Sequence, residues 1–147
     1  MKKTFLIALS LILLNIAFSQ TRSQVVIKWA AGVKELSKVT MEGDTIPMYI
    51  FSFQNAKYQQ IVDIESVLIG DINELKEFTN FVDSLITKVE VAKDEMINYS
   101  FGGVKNIVLS EFMGKNLVTL YDNDMMGYCY IGVADIKKLK SYIQTVK

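Results

Sequence analysis

Short turn signals recur along the chain and divide it into segments of strand length. Segments containing Gly, Asn or Asp stand at positions 55–57, 102–103, 114–116 and 122–124. The residues between these turns form apolar or alternating runs. Because tight turns that join short apolar runs are typical of antiparallel sheets, this spacing predicts a fold built mainly from strands.

Two of these strands precede the first predicted helix. Met48–Phe53 is almost wholly apolar, which is typical of a strand that is covered on both faces. From Tyr58 onwards, apolar and polar residues alternate, which indicates a half-buried strand. Its more polar face carries Gln59, Asp63 and Glu65, and we expect this face to be solvated or to contact a partner.

Residues 25–40 fit two patterns. Apolar residues alternate from Val25 to Trp29, as in a strand, whereas a three-to-four-residue apolar spacing runs from Val26 to Leu36, as in a helix. The β-branched residues at the start of this stretch and the tryptophan favour a strand.

Two amphipathic helices are predicted. Apolar residues recur at three- and four-residue steps from Ile72 to Val89, forming one stripe. Asp71 stands at the N-cap position, and Glu74 three residues later completes a capping-box pattern. A last helix is predicted to start at Asp135.

The two helices share a sequence pattern. Residues 71–78 match residues 135–142 at four of eight positions, including Leu75 and Leu139. Two ββα units would account for this match, and so would the general similarity of capped helices that follow a strand. The predicted fold is α+β, with a mostly antiparallel sheet of five to seven strands and both helices on one face. We expect both leucines to be buried against the sheet.

The N-terminus has the three parts of a secretory signal peptide. Two lysines precede an apolar run at 5–18, and Ala17-Phe18-Ser19 is a small-x-small cleavage motif. The run is shorter than the roughly 20 residues that span a bilayer, which favours cleavage over a membrane anchor. Cleavage is expected between Ser19 and Gln20. The protein should then be exported, to the periplasm or the medium, and soluble, with no membrane contact after cleavage.

Composition excludes several functions for residues 20–147, the single globular domain that remains when signal peptide 1–19 is removed. The chain has no His, so a His-based triad or a His-ligated zinc site is impossible. Sixteen Lys and Arg balance 16 Asp and Glu in the full chain, and removal of Lys2 and Lys3 with the signal peptide leaves 14 against 16, which removes the electrostatic case for nucleic acid. A lone Cys129 cannot form an intramolecular disulfide, and we expect it to be a buried thiol. No cofactor or metal is predicted.

The segment 122–127 imitates the opening of a calcium-binding loop, with acids at its first and third positions. Met126 offers no oxygen ligand at the fifth position, and Val133 replaces the bidentate Glu at the twelfth. The sequence therefore predicts a polar hairpin turn at this point.

The segment Phe53–Asp63, FQNAKYQQIVD, resembles one found in small, exported bacterial α+β proteins of uncharacterised function. The resemblance covers about a tenth of the chain. It implies export and a compact α+β domain, and it implies no particular activity.

The candidate binding residues surround the turn near the C-terminus. Tyr128 and Tyr130 share one face of a strand at two-residue spacing, and Tyr121 would lie beside them if the hairpin pairs in register. With Asp122 and Asp124 in the turn, they form the predicted binding site, because Tyr contributes much interface energy at a low entropy cost. Packing of these rings in the core is the competing interpretation.

Two functions are consistent with this sequence. The first is an exported, non-catalytic module that binds a protein, a peptide or a small ligand. The alternative is a small His-free hydrolase or isomerase that uses Asp, Glu and Tyr in a pocket. An enzyme requires a concave pocket with convergent acids, whereas a binding module requires an exposed aromatic or apolar patch.

Overall fold

A computed structural model of the chain describes residues 22–29, 34–56, 63–92, 95–102, 104–121 and 127–146. The predicted signal peptide and the segment 57–62 of the predicted alternating strand lie outside these residues. The strands are β1 Arg22–Lys28, β2 Lys34–Thr40, β3 Met48–Gln54, β4 Ile64–Gly70, β5 Met96–Phe101, β6 Val104–Phe112, β7 Lys115–Tyr121 and β8 Tyr128–Ile131. The helices are α1 Ile72–Lys88 and α2 Val133–Thr145.

The described strands form two four-stranded antiparallel sheets, β1-β2-β3-β4 and β5-β6-β7-β8. Helix α1 follows the first sheet and α2 follows the second, so the chain consists of two successive ββββα units. The predicted α+β class, the antiparallel pairing and the two helices are confirmed. A single sheet of five to seven strands is wrong, and the repeated unit is ββββα rather than ββα.

The sequence pattern shows strands before and after α1, but it does not show whether these strands pair with each other. The division into two sheets could therefore not be predicted from it. One additional strand comes from the region 25–40, because β1 and β2 pair antiparallel where the sequence predicts one strand or a helix. The segment 30–33 lies outside the described residues. The strand interpretation of this region is therefore correct, but it undercounts the strands by one.

Strand β3 is buried on one face only. Tyr49, Phe51 and Phe53 are buried, whereas the residues between them are half-buried. The prediction of a strand covered on both faces is wrong. Helix α1 and the second helix pack on the buried face, and the other face of the first sheet has no described layer upon it.

At the start of each helix, a carboxylate accepts a hydrogen bond from a backbone N–H. In α1 the N-cap residue itself supplies such a carboxylate, whereas in α2 the residue three positions after the N-cap supplies it. Asp71 is the N-cap of α1 and forms the predicted capping box with Glu74. Helix α2 begins at Val133, two residues before the predicted start at Asp135. Gly132 is its N-cap, and the Asp135 carboxylate reaches back to accept from the Gly132 N–H at 2.9 Å.

Core contacts join the two units. The Phe78 ring of α1 packs against Phe101 of β5 at 5.9 Å between centroids, and Tyr142 of α2 packs against Tyr49 of β3 at 6.0 Å. Leu75 and Leu139 are fully buried, as predicted. Each helix therefore contributes to a core that includes strands of the other unit.

Candidate functional site

Three tyrosines lie together on one face of the β7–β8 hairpin. Tyr121 lies directly opposite Tyr128 in the ladder, and Tyr130 follows two residues later. Side chains opposite each other on antiparallel strands share a face, and the intervening Cys129 faces the buried side. The three rings form what we call the tyrosine ridge. Asp122 and Asp124, the other two predicted site residues, lie outside the described residues.

The rings of the tyrosine ridge are in contact but are not parallel. The centroids of Tyr121 and Tyr128 are 5.5 Å apart with their planes at 42°. The centroids of Tyr128 and Tyr130 are 5.6 Å apart with their planes at 68°. Tyr130 is 45% exposed and the other two are half-buried. The ridge is therefore a corrugated surface that solvent reaches, and its rings do not fill the core.

The tyrosine hydroxyls influence one another. Partial burial raises the pKa of Tyr130, and a hydrogen bond with Tyr128 and the proximity of Tyr121 raise this pKa further. A raised pKa favours the neutral phenol. Tyr130 is consequently uncharged at neutral pH, and the ridge contains no carboxylate or ammonium group.

The outer edge of β8 is closed by groups of the first unit. The Ala56 N–H donates to the Tyr128 carbonyl at 2.9 Å, and the Asn55 side-chain oxygen accepts from the Tyr128 N–H at 3.3 Å. The Lys34 ammonium donates to the Tyr130 carbonyl at 2.7 Å. These contacts hold β8 against the first unit and occupy the N–H and C=O of Tyr128 and the C=O of Tyr130, which another strand would use.

The same lysine joins β2 to the start of α2. Lys34 Nζ lies 2.7 Å from Asp135 Oδ2, and the two side chains are 19% and 10% exposed. Asp135 also accepts from the Gly132 N–H. The ammonium and the carboxylate thus neutralise each other next to Tyr130.

A groove of about 550 Å³ opens beside Tyr130, between the β6–β7 turn and the two helices. Its apolar lining combines residues from five elements and one turn: Ile86, Phe112, Met113, Leu117, Tyr130, Ile131 and Val133. Phe112 and Val133 are exposed, and Met113 is 84% exposed. The groove and the tyrosine ridge share Tyr130 and therefore form one continuous surface.

Most polar groups that line the groove already have partners. Lys34 and Asp135 are paired with each other. The Asn116 side-chain amide donates to carbonyls at the end of α1, including that of Leu85 at 2.7 Å. Of the three charged residues among the described lining residues, Lys115 alone forms no ion pair. The groove is therefore mainly an apolar surface.

Sequence reasoning identified Tyr130 but missed Phe112, Met113 and Val133. Phe112 and Met113 fall at a turn, where an apolar pair next to Gly114 was a usable signal. Val133 reaches the groove only because α2 starts two residues earlier than predicted. The convergence of these three residues depends on contacts between elements that are distant in sequence.

The predicted polar face around Asp63 and Glu65 is not a solvated surface. Asp63 accepts from the amide of the buried Asn55 at 3.0 Å. Glu65 pairs with the buried Phe53 and lies on the inner face of β4, where a Cβ at Gly127 would come within 2.4 Å of it. Both acids belong to the junction between the two units. Gln59 lies outside the described residues.

The hydrolase or isomerase alternative requires convergent acids in a pocket. Among the described residues lining the groove, Asp135 is the carboxylic acid present, and Lys34 and Gly132 already engage it. Two other concavities are each lined by two acids, Glu42 and Asp44 in one and Glu90 and Glu111 in the other. No described group of three or more Cys, Asp or Glu side chains could hold a metal ion.

Cys129 is buried, as predicted, and carries a free thiol. Desolvation by burial raises its pKa to about 12; the nearby Lys34 opposes this rise and Asp135 adds to it. The thiol therefore stays protonated at neutral pH and acts as an apolar core group.

None of the described helices has the length and apolar character needed to cross a membrane. Comparison of the chain with protein-family models, with curated proteins and with solved structures found no match. The functional proposal therefore rests on the geometry of the chain itself.

Proposed function

We propose that this protein is an exported, non-catalytic binding module whose contact surface is the tyrosine ridge with the adjoining groove. One observation carries the proposal. Tyr130, Phe112, Met113 and Val133 are all exposed, and all four line the same groove. Scattered apolar residues are common on protein surfaces, whereas several that converge on one concavity are typical of an interaction site.

The residue types favour recognition over chemistry. Tyr combines a large apolar ring with a polar hydroxyl and has few rotatable bonds, so ordering it on binding costs little entropy. The ridge holds three such rings on a hairpin that the first unit fixes through Asn55, Ala56 and Lys34. A surface that is ordered before binding loses less entropy on association.

Export is part of the same proposal. The lysine pair, the apolar run at 5–18 and the cleavage motif before Gln20 support it. The first described strand begins at Arg22, so cleavage before Gln20 would leave every described element intact. The protein would then act in the periplasm or the medium as a soluble protein.

A retention experiment tests the proposal. The exported protein, immobilised as wild type, Tyr130→Ala and Leu68→Ala, is incubated with extract of its own compartment, and retained molecules are identified by mass spectrometry. Leu68 is a matched control because it is 50% exposed on the outer face of β4. We expect a ligand that wild type and Leu68→Ala retain and Tyr130→Ala loses. Equal retention by all three proteins would reject the ridge and groove as the binding surface.

A further inference from the structure

We infer that the ligand of the ridge and groove is an uncharged, apolar peptide segment that is recognised by its side chains. This inference rests on the proposed function and specifies the class of partner. Three observations carry it: the pairing of the two buried charges of the groove with each other, the angles between the rings, and the contacts that occupy the edge of β8.

The charge on the surface selects an uncharged partner. The ridge is neutral, and Lys34 and Asp135 of the groove are satisfied by each other at 2.7 Å. A charged side chain buried against the ridge or beside the Lys34–Asp135 pair would lose its hydration without gaining a counter-ion, which is strongly unfavourable. Lys115 lies where the groove meets solvent and is exposed, so it can stay hydrated beside an apolar ligand.

The ring angles favour apolar side chains over sugars, the other class of neutral polymer that binds to tyrosines. A sugar ring stacks on a flat aromatic face, which has to be open to it. Planes at 42° and 68° to one another present edges and clefts instead. Branched or aromatic side chains of a peptide fill such clefts by close packing.

The occupied edge of β8 disfavours recognition through backbone pairing. Strand addition requires free N–H and C=O groups along an edge, but the N–H and C=O of Tyr128 and the C=O of Tyr130 are already engaged by Asn55, Ala56 and Lys34. A regular ladder between the ligand's backbone and this edge would have to displace these three contacts. Affinity should therefore come from side chains, and it should follow their composition.

An immobilised array tests the inference with defined probes. One set contains 12-residue peptides, acetylated and amidated at their ends, with only apolar and neutral polar residues. A matched set has two positions changed to Lys or Asp, and a third set contains neutral hexasaccharides. The full chain as exported is applied as wild type, Tyr130→Ala, Met113→Ser and Leu68→Ala. Met113→Ser supplements Tyr130→Ala because Met113 is almost wholly exposed and its replacement should leave the core intact.

We expect wild type to retain uncharged apolar peptides and to bind the charged set at least about tenfold more weakly, which corresponds to about 1.4 kcal/mol. Tyr130→Ala should lower affinity about tenfold or more, Met113→Ser about threefold or more, and Leu68→Ala less than twofold. Equal or stronger binding of the charged set would overturn the inference, as would retention of no peptide.

The outcomes also separate this inference from the proposed function. Hexasaccharides retained in a Tyr130-dependent manner would overturn the peptide class and leave the binding surface standing. Peptides retained equally by wild type and by both groove variants would overturn the surface itself, and the inference with it.

Discussion

Lys34 is the residue whose replacement tests the junction between the two units most directly. It begins β2, in the first unit, and its ammonium contacts Asp135 Oδ2 and the Tyr130 carbonyl of the second unit, each at 2.7 Å. Lys34→Met keeps the length and the apolar stem of the side chain and removes the ammonium. The Asp135 carboxylate then keeps its hydrogen bond from the Gly132 N–H.

The expected loss follows from the burial of the pair. The two side chains are 19% and 10% exposed, so solvent cannot fully replace the lost partner. Removal of one member of a buried ion pair costs about 3–5 kcal/mol, because the other charge stays buried without compensation. The Tyr130 carbonyl also loses a charge-assisted hydrogen bond. We expect Lys34→Met to lower the free energy of unfolding by about 3–5 kcal/mol.

Urea unfolding at pH 7, followed by the fluorescence of Trp29, measures this loss. Trp29 is buried and packs edge-on against Phe51 of the first unit, so its emission should report loss of the core. The matched control is Lys28→Met. Lys28 also forms an ion pair, with Glu35 at 2.8 Å, but its side chain is 65% exposed, and such surface pairs contribute less than about 1 kcal/mol.

A double-mutant cycle isolates the interaction. Asn at position 135 keeps an oxygen that can accept from Gly132 and removes the charge. Lys34→Met combined with Asp135→Asn should therefore be more stable than the two separate losses predict, by about 1.5–3 kcal/mol. A coupling below about 0.5 kcal/mol, or a Lys34→Met loss no larger than that of Lys28→Met, would refute the argument that this pair joins the units.

Three further predictions concern the core, the thiol and export. Leu75→Ala and Leu139→Ala should each cost about 2–5 kcal/mol in urea melts, because both side chains are fully buried; a loss below about 0.5 kcal/mol at either site would contradict the packing described. Cys129 keeps its proton in the folded protein up to a pKa of about 12, against 9.0 when unfolded. Stability should therefore fall as pH rises from 9 towards 12, by up to about 1.4 kcal/mol per pH unit, and a Cys129→Ala variant with an equal pH slope would show that the thiol is not responsible. Intact mass of the exported protein should give a chain that starts at Gln20, and a mass that includes residues 1–19 would contradict cleavage.

Features set by neighbouring residues could be predicted from the sequence. The capping box of Asp71 and Glu74 requires only residues three apart, and it forms as expected. The register that brings Tyr121 opposite Tyr128 depends on a single hairpin, and it too is observed. The burial of Leu75 and Leu139 follows from the apolar stripes of the two helices. In each case the determining interactions lie within one or two adjacent elements.

Features set by distant residues could not be predicted. The alternation of apolar and polar residues predicts that Ile64 points inwards and Glu65 outwards. In the structure, β4 exposes Ile64 and turns Glu65 inwards. Val67 and Ile69 explain this reversal, because both are buried and so determine which face of β4 points to the core. Glu65 lies two residues before Val67, and its side chain is therefore on the same inward face. The division into two sheets has a similar cause, since β8 meets the first unit through Asn55, Ala56 and Lys34 and not through a strand ladder.

The groove exists only when the two units are docked. Lys34 and Ile86 come from the first unit, whereas Phe112, Tyr130 and Val133 come from the second. The Lys34–Asp135 pair therefore has two effects: it joins the units, and it removes from the groove the two charges that would otherwise attract a charged ligand. An apolar contact at this place could also join the units. It would, however, leave the Tyr130 carbonyl at the edge of β8 without the hydrogen-bond donor that Lys34 supplies. The apolar character of the groove thus depends on the same polar contacts that join the two units.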